Sequence, residues 1–408
     1  MPHATNPLRA VLVAALIPLA GCGDIFETEA PGRIADEDLD NPEAIPGLVV
    51  GMSYDLAQAV DGLLEAWVPL AAGELFHGGS YDWDDVPNGT ILPEDVDGIW
   101  GTMQQARWVA EAGIERIRSI LESEAGAFDE SPYVARAFLL AGFANRTLGE
   151  NVCETAIDGG SREPHTVHFE RAEGQFTQAI AIGQASGSDD VVTAAYGGRA
   201  SVRAWLGDWA GAVQDAQQVP IAFTYDAKLS ADGESNQIAY ETHDRFEYTV
   251  FGTEWENIPS DPRLPWDTVF NADGSIANGA NGSTPHYQQQ KYTSTEDDVP
   301  LTHGPEMLVL QAEAALRNND IPGAFALLNQ ARAHYQMGPL PIPATAAEAW
   351  TTLHVERGAT TWLENRRLWD LRRWFAETGP AHHDFLATRD QCIPISQEEL
   401  NTNVNLRG

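Results

Sequence analysis

Lysine is nearly missing from this 408-residue chain: Lys228 and Lys291 are the only two. Arginine carries the rest of the positive charge and is heavily outnumbered, 24 Lys+Arg against 60 Asp+Glu, for a formal net charge of −36. General binding to a phosphate backbone needs a cationic surface, so no nucleic-acid partner is expected. An acidic surface fits solubility and a small-molecule or protein partner better. Catalytic signatures are missing too. There is no H-E-x-x-H, no G-x-S-x-G, no phosphate-binding P-loop and no calcium-binding EF-hand loop, so neither an enzyme nor a cofactor is indicated. Long apolar runs are reduced to one, Ala10–Leu19, too short to remain in a bilayer as a spanning helix. What remains, 43% hydrophobic and 21% charged residues, is the composition of an ordinary globular protein.

The short run reads as a targeting signal. Arg9 is the only formal charge before it, and the tetrad Leu19–Cys22, LAGC, comes directly after. That combination suits a secretory signal peptide and resembles the bacterial lipoprotein box, in which the signal is cut before the cysteine and the cysteine is acylated. Residues 1–21 are therefore expected to be removed. Cys22 is expected to carry lipid, and 22–42 to form a polar tether holding the chain to a membrane by its anchor. Cys153 and Cys392 remain. An exported location permits a disulfide between them, and two free buried thiols are the alternative.

The spacing of apolar residues predicts helices through most of the chain beyond the tether. Asn41, Pro42 and Glu43 make a start signal for a helix over Pro42–Trp67. The Gly-, Pro- and Asp-rich stretch His77–Gly98 predicts a long loop, and a second amphipathic helix is expected from Asp97 to Glu122. Then comes an internal repeat of the tetratricopeptide kind, a helical hairpin with small residues where its helices cross. Tyr196, Ala200, Gly207, Trp209, Ala212, Ala216 and Val219 fit it. So do Leu308, Ala312, Ala315, Asn319, Ile321, Ala324, Leu328 and Ala331. A third copy is split, with Phe138, Gly142, Asn145 and Gly149 before an insertion and Phe169, Ala172, Phe176 and Ala179 after it. The expected fold is one mainly α domain over 43–408. Repeat helices occupy about 133–219 and 305–375, and a loop-rich insertion at about 220–302 holds little β structure beyond a strand at Phe246–Phe251.

Candidate site residues are few. His382–Asp384, HHD, reads as an exposed turn, because adjacent histidines point in different directions; no metal site is expected. Tryptophans on helical spacing, Trp100 and Trp108 among them, read as core. Trp83, Trp255 and Trp266 stand among loop residues. Sugar rings stack apolar faces on aromatic rings while their hydroxyls seek carboxylates and amides. Ser80–Asp85, SYDWDD, offers both, so Tyr81, Trp83, Trp255 and Trp266 are the candidate ligand contacts. Val355–Phe375 concentrates arginine and tryptophan. Asp370 falls within one helical turn of Arg366, Arg367 and Arg373. A structural ion-pair helix docked on the repeats is expected there, not a binding centre.

Glu306–Asp320, Leu327–Arg332, Glu356-Arg357, Glu364–Trp374 and Cys392–Asn403, in this order and spacing, resemble the SusD/RagB family of outer-membrane lipoproteins. The resemblance is clear over about 286–408 and looser over 40–220. It implies a helical fold with tetratricopeptide-like repeats. It also implies a surface-exposed subunit, lipid-anchored in the outer membrane, that captures a glycan or other nutrient for a TonB-dependent, SusC-like barrel. The family's usual E-G-x-R reads Glu364-Asn365-Arg366-Arg367 here, and the family's ligand residues do not carry over. Two rivals stand beside this reading: a tetratricopeptide-type scaffold lipoprotein with no small ligand, and a secreted hydrolase.

Overall fold

Asn41 opens the helical part of the chain by accepting the Glu43 and Ala44 amides on its side chain, satisfying donors that a helix start leaves bare. A 3-10 turn, Pro42–Ala44, runs into α1 (Ile45–Gly62), a π-helical turn (Leu63–Trp67) and α2 (Val68–Ala71). The expected first helix is thus present, widened at its end. This computed structural model describes residues 36–81, 85–123, 126–230, 233, 235–258, 260–378 and 384–407. The signal segment, Cys22, Trp83 and His382-His383 lie outside them. Met1–Leu39 and Asp40–Gly408 are separate units. The described part of the first is a 3-10 turn, Asp36–Leu39; all other elements belong to the second.

Strand β1 (Phe76–His77) and the short helix α3 (Asp85–Asn88) come next, then α4 (Asp97–Leu121), which buries Trp100, Met103, Ala110, Ile114 and Ile117 along one side. The three predicted repeats are three helical hairpins. Helices α5 (Pro132–Asn151) and α6 (Thr166–Ser186) form the split one, and the insertion between them is a hairpin of β2 (Glu154–Ala156) and β3 (Arg162–Pro164). Helices α7 (Asp189–Trp205) and α8 (Trp209–Ala216) form the next. Small residues stand where helices cross. A Cβ at Gly198 would overlap the ring of Phe176, which is fully buried. Alanine normally gains up to about 1 kcal/mol over glycine inside a helix. Here the forced shift of Phe176 is expected to dominate, at about 1–3 kcal/mol, so Gly198→Ala should lower the unfolding midpoint, whereas propensity alone would raise it.

The insertion is built from two-stranded ribbons. Strand β4 (Thr224–Ala227) pairs antiparallel with β8 (Val299–His303), closing its two ends together. Between them lie the short helix α9 (Gln237–Ala239), a second π-helical turn (Tyr240–Asp244), β5 (Tyr248–Thr249), β6 (Trp266–Thr268) and β7 (Tyr287–Gln289). Strand β5 pairs with β1, and β6 with β7. The strand expected over Phe246–Phe251 is cut to Tyr248–Thr249; it cannot start at Phe246, which takes φ 61°, a value extended structure does not tolerate.

The third hairpin is α10 (Gly304–Arg317) and α11 (Ile321–His334); α12 (Ala346–Thr360) starts on a capping box between Thr345 and Glu348. The arginine-rich stretch does not continue as one helix. Leu363 and Asn365 sit at φ 57° and 59°, and α13 (Arg367–Thr378) begins afresh. The ion-pair lattice is present, with partners mostly on other helices. Asp370, fully buried, takes Arg357 Nε at 2.7 Å and Arg373 Nη2 at 3.1 Å. Arg373 also bonds Glu313, Arg366 reaches Glu150 and Glu306 at 3.1 Å each, and Arg367 reaches Glu254 at 2.7 Å. Guanidinium planes lie over indoles, Arg373 at 4.2 Å from Trp205 and Arg367 at 5.1 Å from Trp255, a geometry lysine serves poorly. Glu364 takes Lys291 at 2.6 Å and His303 at 3.1 Å. Cys153 and Cys392 are bonded, and α14 (Gln397–Thr402) is followed by a 3-10 turn, Val404–Leu406.

Candidate functional site

The loop after β1 is held by one buried carboxylate. Glu247, 1% exposed, accepts the Ser80 amide at 2.8 Å, the Ser80 hydroxyl at 3.0 Å and the Tyr81 amide at 3.4 Å. Gly79 lets it approach: a Cβ there would overlap the carboxylate. The anchor turns Tyr81 outward, 43% exposed, with the Arg245 guanidinium 4.2 Å from its ring centre and 5.6 Å from that of Tyr240. Behind them the π-helical turn Tyr240–Asp244 presents Glu241. Burial, and then the charges of Glu247 and Glu65, push its carboxyl up to about 7. π-Helical turns are uncommon and recur at functional sites.

On the other flank of β1 a cleft of about 530 Å³ opens between the end of α2, β1, residues 252–254 and residues 384–389. Phe76, 41% exposed, and Phe385 give it aromatic walls. Polar groups stand at its edges. Arg389 lies 4.3 Å above the Phe385 ring and donates to the Pro87 carbonyl. Its Nε is buried without a partner, and burial pushes its pKa down. Glu254 is fixed from behind by Arg367, so the structural lattice sets one polar edge of the cleft. Asp384 lines it as well. Apolar walls with a few placed polar groups are the usual make-up of a small-molecule site.

The four aromatic candidates have different fates. Tyr81 is exposed at the anchored loop. Trp83 lies outside the described residues. Trp255 is fully buried, packed beneath Arg367 and against Gly358. A ring with no exposed face cannot receive a sugar, so Trp255 leaves the set. Trp266 is half-buried and stacks on Tyr287, centroids 5.0 Å apart at 12°; no described contact joins it to Tyr81 or the cleft. Sequence reasoning missed Phe76, Phe385 and Arg389. Phe76 directly precedes the His77-Gly78-Gly79 loop signal, and Phe385 comes right after HHD; those positions were the available clue. Trp108, read as core, is 56% exposed. Among the described residues no His, Cys, Asp and Glu groups are placed to hold a metal ion, and no helix is long and apolar enough to cross a membrane.

Residues 287–405 match the model of the SusD family. A SusD superfamily protein from Bacteroides fragilis shares the fold with a TM-score of 0.68 and 12% identity, over 90% of this chain and 98% of that one. A SusD superfamily protein from Bacteroides vulgatus gives 0.66 at 14% identity, over 89% and 97%. A SusD-like carbohydrate binding protein from Bacteroides vulgatus gives 0.56 at 14% identity, over 81% and 83%. At such identities the likeness is one of fold. No curated protein matches this chain in sequence.

Proposed function

We propose that this chain is a SusD-family protein, from the family match over residues 287–405 and the shared fold, and that it is a cell-surface glycan-binding subunit delivering its ligand to a TonB-dependent outer-membrane barrel. Cys22 is the proposed point of lipid attachment, and the mature protein needs no catalytic group. The observation that carries the reading is the cleft between Phe76 and Phe385. Aromatic faces suit the C–H faces of a sugar ring, and Arg389, Asp384 and Glu254 stand where its hydroxyls would seek hydrogen bonds. Tyr81 and Arg245 extend the polar and aromatic surface on the other flank of β1. A fold neighbour described as carbohydrate binding supports the ligand class.

Two measurements test it. Replacing Phe76 and Phe385 together by alanine should weaken glycan binding by at least about tenfold, a loss of about 1.4 kcal/mol or more, with affinity read on the folded fraction because Phe385 also packs on the main core. Unchanged affinity would remove the cleft from the account. Cys22→Ala should release the chain from the membrane fraction; retention there would remove the lipid anchor. A scaffold without a small ligand would bind no glycan in the first test.

A further inference from the structure

Among the described residues Trp108 is the one tryptophan with more than half its surface exposed. It ends a stripe on α4 formed by Asp97, Gly101, Gln104, Gln105 and Trp108, whose spacing puts them on one helix face. By helical rise the stripe is about 16 Å long. It floors a groove of about 550 Å³ that shares no residue with the Phe76–Phe385 cleft. One wall is the β2–β3 hairpin and the other is α14.

The groove is braced on every side and left unfilled. The Cys153–Cys392 disulfide joins the roots of the two walls, and Cys153 N donates to the Ile393 carbonyl at 2.8 Å. Beyond α14, Asn403 and Asn405 donate to the Gly160 and Gly159 carbonyls at 2.9 and 2.8 Å. The Glu398 amide ties α14 to Asp97 on the floor at 2.8 Å. Arg107 ties the hairpin to α4 through Asp158 at 2.7 Å. Gly101 then has no packing explanation. Nothing lies within 4 Å of a Cβ placed there, although glycine is unfavourable inside a helix. Its bareness keeps the floor open.

The charges select the ligand class. Asp97, Asp158, Glu398 and Glu399 line the groove against Arg107 alone, and Arg107 is already paired with Asp158 and Glu111. An anionic ligand is disfavoured. An exposed indole beside side-chain amides and the outward-facing Glu398 carboxylate fits hydroxyl-rich rings. We infer that the groove between α4, the β2–β3 hairpin and α14 is a second binding site, for a neutral oligosaccharide stacked on Trp108. The inference rests on the glycan-binding reading and deepens it: two sites on one chain would hold a polymeric glycan by avidity.

The test titrates the whole mature chain with malto-, cello-, xylo- and mannohexaose, by calorimetry and by tryptophan fluorescence. It compares wild type with Trp108→Ala, Gly101→Leu and the Phe385→Ala cleft variant. At least one sugar should occupy two sites in wild type. Trp108→Ala and Gly101→Leu should each lose one site, or weaken it at least about tenfold, while Phe385→Ala keeps it. Gly101→Leu should unfold no earlier than wild type, since leucine favours the helix, so its lost binding is not lost folding. If a sugar binds and both groove variants match wild type, the second site is wrong and the cleft reading stands. If no hexaose gives a Trp108-dependent signal, the inference is overturned, while the proposed function is judged separately by coelution with a membrane barrel. Trp108-dependent binding of a polygalacturonate hexamer would overturn the neutral class.

Discussion

Asp370→Ala is expected to remove about 3–5 kcal/mol of folding stability, read from the shift of the urea unfolding midpoint. Asp370 is fully buried between Arg357 and Arg373. Deleting it leaves two guanidinium groups, both under 10% exposed, with one counter-charge fewer. The magnitude comes from that uncompensated charge, not from the worth of the pair, because taking ions out of water offsets most of their attraction. A second comparison separates the two. Arg357→Met combined with Asp370→Leu removes both members of one pair and should cost clearly less than the sum of the single changes. Additivity would mean that the lattice is a set of independent surface-like pairs. Neither single change should alter glycan affinity in the fraction that remains folded.

Stability should be nearly level between about pH 6 and 7 and should collapse below about pH 5. Three histidines are kept from protonating. Burial, helped by the charge of Arg372, lowers His165 to about 4. Burial and Arg107 lower His168 to about 3, and burial lowers His286 to about 4. The unfolded chain takes up these protons near pH 6.5, so their contribution, complete above that pH, is lost as the pH falls toward 4. Burial pushes Glu306 and Glu313 up, but Arg366 and Arg357 for the first and Arg373 for the second more than reverse it, leaving both at about 2. Their contribution is complete above about pH 4.5 and is lost between there and about 2. Glu74 and Glu241 act the other way. Burial raises both to about 7, so the folded state takes up their protons first and gains stability as the pH falls from about 7 to 4.5. Near neutrality the two carboxyls oppose the histidines; below about pH 4.5 only losses remain. Urea titrations at half-unit pH steps check this, and a midpoint unchanged down to pH 3 would contradict it.

The parts of the fold that repeat were readable because repetition constrains side-chain size. The small residues at 142 and 149 lie against the rings of Phe176 and Phe169, and their offsets pointed to a helical hairpin directly. The site was much less readable. Whether a loop aromatic is exposed depends on what packs over it, and nothing near Trp255 in sequence announces that Arg367, over a hundred residues later, covers its ring. The converse holds for Trp108: helical spacing implied a buried face, yet the hairpin and α14 stop short of it. Asp370 was seen as a partner for arginines on its own helix. Its nearer partner, Arg357, stands on α12, beyond a break set by left-handed backbone at Leu363 and Asn365. Residue types at Val355–Phe375 were enough to identify structural ion pairing, but tertiary geometry chose the pairs.

Delivery to a membrane barrel can be tested most directly by affinity purification of the full-length, tagged chain from detergent-extracted outer membranes of its own host. A large TonB-dependent barrel should coelute in near-equal amount, and Cys22→Ala should reduce that recovery. A chain that elutes from intact outer membranes with no barrel partner would contradict the account.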